Sequence, residues 1–310
     1  MGVLYIVSAE EAAGKTTICA GIAINLLNTG KKVGYLNPQE TEKGATGGDI
    51  AFMRKTLGLT DAVNAPDIVQ GRDIVLVEAM LGTKAGDLAT KETYGAAKEM
   101  QAKVIAVEAY GGDAAGVKYA ALYKGFGENF LGAVINKVPR SRMKSAREKA
   151  GGGDIKIIGM IPEDRVLLAI TVGELADIIK GKIISSPEKS DELVENYLLG
   201  ALTPDTGTEY FQRKGRKAAV VRQERADMQM AALETPISCL VLAGGSQPPI
   251  HYVRDKAARK GVPIILTESG IEDIVEKIEG SLLKKRLNQD KKLAKLGEIV
   301  KQNLDMKVFS

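Results

Sequence analysis

The chain opens on an unbroken apolar run, 3–7, then a polar turn, then apolar positions at helical spacing over 18–28, closed by Thr29-Gly30. The same rhythm recurs. Strands that are apolar throughout are predicted at 32–36, 73–77, 104–109, 131–136 and 155–160, with helical stretches between several of them, such as 88–101 and 114–124. Strands without polar alternation belong to a mostly parallel sheet covered on both faces. Right-handed crossovers then give an α/β fold with a doubly wound sheet. Around 184–191 the texture changes to Ser185-Ser186-Pro187-Glu188-Lys189-Ser190, polar and rich in breakers, which reads as an interdomain linker.

A second, smaller α/β series follows. Its predicted strands are 218–221, 239–243 and 263–266, with a first strand around 197–202 that would lie at an edge, and its helices are 226–234, 251–260 and 271–283. Over 288–303, Leu293, Leu296, Ile299 and Val300 recur at helical spacing with lysines between. That pattern fits either a basic helix for a membrane or partner, or a terminal helix packing one apolar stripe with its lysines solvated; the second is favoured. The expected domains are 1–183, 191–285 and a C-terminal helix within 286–310.

A length of 310 residues agrees with two domains, and 45% hydrophobic with 26% charged residues excludes disorder as the main state. The net charge of +4 is mild, Trp is absent and no basic-aromatic interleaving occurs, so no nucleic acid partner is expected. Two cysteines, Cys19 and Cys239, lie far apart in apolar runs and suggest a reducing compartment. A single histidine, His251, excludes a histidine metal cluster and argues against a Ser/His/Asp triad. The N-terminus lacks a basic start and reads as a first strand, and no apolar stretch has membrane-spanning length. A soluble, cytoplasmic protein is expected.

The strongest chemical signal is Ser8-Ala9-Glu10-Glu11-Ala12-Ala13-Gly14-Lys15-Thr16-Thr17, set between a buried strand and a helix as a phosphate loop requires. Ala12, Ala13, Gly14, Lys15, Thr16 and Thr17 would cradle the phosphates with amides at the helix N-terminus. Lys15, the catalytic candidate, would reach the β- and γ-phosphates, and the Thr16 hydroxyl would sit on Mg2+. The strict pattern has glycine where Ala9 stands, so Ala9 must keep a negative φ. Mg2+ takes oxygen ligands. Glu78, closing the strand Asp73-Ile74-Val75-Leu76-Val77, is one candidate, and Asp49 in a glycine-rich stretch is another, or else a turn cap. Asn136, after Leu131-Gly132-Ala133-Val134-Ile135, offers an amide to a purine edge, and Pro162 and Glu163 would form the other wall of a base pocket.

Taken together, the Gly-Lys-Thr loop, Glu78 after Val-Leu-Val, Asn136 after Gly-Ala-Val-Ile, and Ile161-Pro162-Glu163-Asp164 resemble dethiobiotin synthetase. Their order and spacing are similar to those of the related amino-terminal domain of long bacterial phosphate acetyltransferases. The resemblance covers about residues 1 to 180. It implies ATP and Mg2+ as cofactors: Lys15 and Thr16 on phosphates and metal, Asp49 and Glu78 completing the metal site, Asn136 reading adenine. It also implies a homodimer. The second half resembles the DRTGG domain that follows in those acetyltransferases. The matching residues are Val220-Val221-Arg222-Gln223-Glu224-Arg225-Ala226-Asp227, Cys239-Leu240-Val241-Leu242-Ala243-Gly244-Gly245 and Gly261-Val262-Pro263. There Arg225 and Gly244-Gly245 either cradle an anion or form a salt bridge and a tight turn.

The acyl-transferring domain of those acetyltransferases would follow residue 290, so that activity is not expected of a chain ending at Ser310. Dethiobiotin synthetases carry Lys-Pro after the second strand; here the pair is Asn37-Pro38. Two functions stay open. One is an ATP-binding regulatory or sensor module with slow hydrolysis at most, its second domain serving dimerisation or a small-molecule effector. The other is an ATP-dependent ligase acting on a carboxylate or carbamate, with Lys43 or Lys84 as a further cation. The missing lysine and the attached domain favour the first.

Overall fold

In a computed structural model the chain divides into two compact units, residues 1–163 with 286–310, and residues 164–285. The structure describes residues 2–38, 52, 53, 55, 56, 58, 71–112, 117–150, 155–200, 204–282 and 290–309.

The first unit holds a sheet of six strands, all parallel: β1 (Gly2–Ser8), β2 (Val33–Leu36), β3 (Ile74–Met80), β4 (Lys103–Ala109), β5 (Phe130–Val138) and β6 (Ile157–Pro162). Their order across the sheet is β2-β3-β1-β4-β5-β6. The order reverses direction at β1, which puts the turn after β1 at the switch point where ligands of open parallel sheets collect. Helix α1 (Lys15–Asn28) follows that turn; α2 (Leu88–Glu99), α3 (Ala120–Lys124) and α4 (Met143–Ala150) make the later crossovers. The strands are buried along most of their length: Leu4 through Ser8 and Ile74 through Glu78 are each under 9% exposed. This is why their sequence shows no polar alternation.

Helix α1 is apolar all round, with Ile18, Cys19, Ala20, Ile22, Ala23 and Leu26 buried. A helix of that kind needs cover on both sides. The second cover is the C-terminal helix α11 (Leu293–Asn303), which packs Leu296, Ile299 and Val300 as its buried stripe. Buried Asn25 on α1 donates from Nδ2 to Gly297 O at 2.9 Å and to Gly21 O at 2.8 Å, tying the two helices in register. Beyond α11, Leu304 bridges Gly159 on β6 and Asp305 N donates to Ile158 O at 2.9 Å, so this tail covers the β6 edge. The apolar-stripe reading of 288–303 therefore holds, and the helix belongs to the first unit.

The second unit has five strands in the order β10-β11-β12-β13-β8: β8 (Lys182–Ser185), β10 (Asn196–Gly200), β11 (Lys217–Arg222), β12 (Cys239–Ala243) and β13 (Ile264–Thr267). Four run parallel, and β8 joins β13 antiparallel. A two-strand pair, β7 (Ile170–Thr171) with β9 (Leu193–Val194), lies beside them. Helices α5 (Arg165–Leu168), α6 (Val172–Ile178), α7 (Pro204–Gln212), α8 (Ala226–Glu234), α9 (His251–Lys260) and α10 (Ile271–Leu282) complete the unit. Alternation is clear on the strands: Ala218, Val220, Cys239 and Val241 pack with α6 and α10, while Ala219, Val221, Leu240 and Leu242 pack with α7, α8 and α9. The stretch expected to be a linker instead holds the end of β8 and a 3-10 turn, Pro187–Lys189, so the unit starts before 191. A polar, breaker-rich composition suits a tight turn inside a domain as well as a linker. Both cysteines are buried and free.

Candidate functional site

Helix α1 begins at Lys15, and its N-cap Gly14 has φ 92, ψ 31, in the left-handed region. A side chain there would be strained, and its Cβ would run into Asn136 Nδ2, so two constraints require glycine. Ala9 keeps an ordinary φ as its identity demands, while Ala12 turns left-handed at φ 55 without being glycine. Such a conformation costs about 1 kcal/mol and persists only where surrounding contacts hold it. Those contacts come from the end of β5. Lys137 Nζ donates to Ala12 O at 2.7 Å, and Asn136 Nδ2 donates to Ala13 O at 2.9 Å. Two consecutive carbonyls of the loop are thus drawn toward β5, and the first intrahelical bond, Ile18 N to Gly14 O at 3.0 Å, starts the helix directly behind them. The amides of its first turn face along the axis into the loop.

Asn136 is 6% exposed, and its Oδ1 accepts from Lys137 N at 2.9 Å. Its amide hydrogen bonds brace the loop at Ala13. A buried amide must find hydrogen-bond partners, and the loop carbonyl supplies one.

On the other flank, Thr16 Oγ1 donates to Glu78 Oε2 at 3.0 Å, and Tyr35 OH donates to Glu78 Oε1 at 3.0 Å. Glu78 is 3% exposed. The Asn37 side chain hydrogen-bonds Tyr35, and the Tyr35 hydroxyl is pushed far up, first by burial and then by the Glu78 charge. Burial and the same carboxylate raise the Cys19 thiol. Tyr35 was not picked out from sequence. It lies inside an apolar strand, and only its position two residues before Asn37 hinted at the edge. Lys15 Nζ lies 2.7 Å from Met80 Sδ, at the end of β3.

The loop therefore gathers Ala12, Ala13, Gly14, Lys15, Thr16 and Thr17 at one sheet edge with Glu78 and Asn136. Half-buried Pro162, the last residue of β6, and exposed Glu163 just after it stand at the same edge. Asp49 and Lys43 lie outside the described residues. Lys84 is exposed in the loop after β3. The residues present fit a magnesium nucleotide: a hydroxyl and a carboxylate, both oxygen donors, meet beside an ammonium and a glycine cradle that a Cβ would fill. Among the described residues no group of three His, Cys, Asp or Glu gathers as a metal site.

Beside the loop is a cavity of about 660 Å3, lined by Glu10 of the loop, Glu108, Tyr110, Lys118, Ile157 and Met160 among others. Glu10 pairs with Lys118 at 3.1 Å, and buried Glu108 accepts from the N–H groups of Lys118 and Tyr119 at 2.8 and 3.0 Å.

In the second unit, Arg225 forks onto Asp227, with bonds of 2.9 and 2.8 Å. Gly244 N donates to Ser269 O and Gly245 N to Thr267 O. Of the two readings left open by the sequence, the salt bridge and tight turn are what the structure contains: both glycine amides donate to neighbouring carbonyls.

Comparisons with known proteins bear chiefly on the second unit. The model of the DRTGG domain matches residues 174–281. Its start at 174, before the 191 expected, agrees with β8 being part of the second sheet. A phosphate acetyltransferase of Pseudomonas putida is 22% identical over 328 aligned residues, covering 90% of this chain and 47% of that protein. The chain thus spans about half the length of this relative. Two solved structures are also similar. One holds the CBS and DRTGG domains of the regulatory region of Clostridium perfringens pyrophosphatase complexed with an activator, diadenosine tetraphosphate: 16% identity, TM-score 0.34, 41% of this chain and 53% of that one. The other is the cell division protein MinD of Aquifex aeolicus: 17% identity, TM-score 0.39, 54% and 84%. Among the described residues no helix is long and apolar enough to cross a membrane.

Proposed function

We propose that the first unit binds Mg-ATP as a cytoplasmic regulatory or sensor module that hydrolyses it slowly at most, with the second unit serving dimerisation or binding a small-molecule effector. The observation that carries this reading is the meeting of Thr16 Oγ1 and Glu78 Oε2, 3.0 Å apart, at the mouth of the Gly14-Lys15 loop. Lys15 and the loop amides would hold the phosphates, and Thr16 with Glu78 would hold Mg2+, which neutralises phosphate charge when bound. The regulatory side of the reading draws support from the attached unit that matches the DRTGG model and from Asn37. Where the resembling synthetases place an ammonium, this chain spends Asn37 on Tyr35 and so on holding Glu78.

Calorimetry with Mg-ATP tests it. Lys15→Ala should weaken binding by at least tenfold, and equal affinity in both proteins would sink the phosphate-loop reading. Steady turnover should stay below about 1 per second. One observation favours a second reading, an ATP-dependent ligase: the 660 Å3 cavity beside Glu10 is of the size that holds a small acceptor substrate. Mass spectrometry of small molecules retained by the purified protein would separate the two.

A further inference from the structure

Strand β5 ends irregularly. Against β4 its ladder runs on to Asn136, which lies opposite Ala109. Against β6 it slips: Ile135 faces Met160 and Val138 faces Pro162, so β5 carries an extra residue at Asn136-Lys137. This is a β-bulge, rare in parallel pairs and found where a strand must re-aim a side chain. Lys137 carries the distortion, with a left-handed φ of 58 that a lysine adopts only at a cost.

Side chains of consecutive residues on a regular strand point to opposite faces. Here both reach one loop. Asn136 Nδ2 donates to Ala13 O and Lys137 Nζ to Ala12 O, two successive carbonyls of the turn into α1. The bulge makes that possible. At the far end of the Lys137 bond stands a second left-handed residue that is not glycine, Ala12 at φ 55. Both Ala12 and Lys137 are exposed, so burial of apolar surface holds neither. Asn136 fixes the loop one residue further on and leaves the turn at Ala12 to the lysine.

We infer that Lys137 is a positioning residue of the phosphate loop: its ammonium keeps Ala12 left-handed, and so keeps the amides that follow turned to the mouth of the loop. A glycine at position 12 would hold that conformation unaided. An alanine left to itself disfavours it by about 5–30-fold, which makes the loop dependent on β5. The inference rests on the phosphate-loop reading and adds a residue that reading leaves out. Lys137 acts through Ala12 and not on the nucleotide.

The test uses the full chain, with Mg-ATP and magnesium tripolyphosphate as probes. By calorimetry Lys137→Met should weaken both alike, by about fivefold or more, the strain at Ala12 being released. Lys137→Arg, which keeps a donor for Ala12 O, should stay within about threefold of wild type. In an Ala12→Gly background the further loss on adding Lys137→Met should shrink to about twofold or less, because the two changes act on one conformation. Unchanged affinity in Lys137→Met would overturn the inference and leave the phosphate-loop reading standing. So would an arginine variant as weak as the methionine one, or a full loss persisting in the Ala12→Gly background, since the ammonium would then act elsewhere. If the wild type binds neither probe, the phosphate-loop reading falls and this inference with it. A readout without nucleotide stands beside these. The Ala12 carbon NMR shifts, assigned by the signal that Ala12→Gly removes, should move toward right-handed values in Lys137→Met. Shifts that stay put would refute the brace.

Discussion

Gly21 and Gly95 are both interior helical glycines, and replacing each by alanine should move stability in opposite directions. Alanine in a helix interior gains about 1 kcal/mol over glycine. At Gly95, exposed on α2, an added Cβ meets nothing within 4 Å, so Gly95→Ala should keep the whole gain. At Gly21 the added Cβ would meet Val300 Cγ2 well inside van der Waals contact and Val300 Cβ at 3.0 Å. Val300 is fully buried, and a β-branched residue in a helix has one strongly preferred rotamer, so it has no easy way to yield. Overpacking costs about 1–3 kcal/mol. Pushing α11 away also stretches the bond from Asn25 to Gly297, worth about 1 kcal/mol. Net of the propensity gain, Gly21→Ala should cost about 1–3 kcal/mol. Adding Val300→Ala should make room, with a coupling of about 0.5–3 kcal/mol between the two changes. The assay is urea unfolding followed by hydrogen exchange in the α1 peptide, so that unfolding of the second unit does not enter. If Gly21→Ala stabilises as much as Gly95→Ala, or shows no coupling to Val300→Ala, the packing reasoning is wrong.

Tyr35→Phe should raise the Mg2+ concentration needed for ATP binding several-fold, with little change at saturating Mg2+, because Glu78 loses one of the hydroxyls holding it; an unchanged Mg2+ titration by calorimetry would refute this. Lys217 is fully buried at the start of β11, donates to Pro236 O at 2.6 Å, and burial holds its ammonium below the ordinary value of 10.5. Because the unfolded chain keeps that proton to higher pH, its penalty is full below the folded value and is relieved as pH climbs through 10.5. Wild-type stability should therefore gain on Lys217→Met as pH rises into that window, and parallel pH profiles would refute the assignment. Light scattering at micromolar concentration should give twice the 33.0 kDa chain mass, since β10 is an edge strand with half-buried side chains; a monomer with and without Mg-ATP would contradict it.

Strands buried on both faces and helices with one stripe wrote themselves plainly into the pattern: Cys239–Ala243, Ala226–Glu234 and His251–Lys260 fall on the residues expected. The turn into α1 at Gly14-Lys15-Thr16, with Glu78 at the neighbouring strand end, was legible because a buried strand followed by a glycine-bearing turn and a helical pattern leaves few alternatives. What pattern could not supply was contact across the fold. That Asn136 would turn to Ala13 O, or that Tyr35 would reach Glu78, depends on which strands neighbour one another, and neither distance has a period in sequence. The domain boundary was misplaced for a related reason. Breakers at 185–190 mark a turn, but whether a turn joins domains is decided by what β8 pairs with, and its partner β13 lies about 80 residues on. A fragment ending at 183 would keep the loop, lose α11 and cut β8 in two, so separate expression of the units requires joining 163 to 286.

The insertion of one unit into the other also orders events during synthesis. Helix α1 is complete by Asn28, whereas α11, its cover, begins at Leu293, about 260 residues later. At about 5–20 residues per second, α1 waits about 10–50 s with its outer apolar face unpartnered. The inserted unit, contiguous from 164 to 285, is synthesised whole before that wait ends. A nascent chain thus exposes the outer face of α1 throughout synthesis of the inserted unit, and that face gains its cover only once Leu293–Asn303 is made.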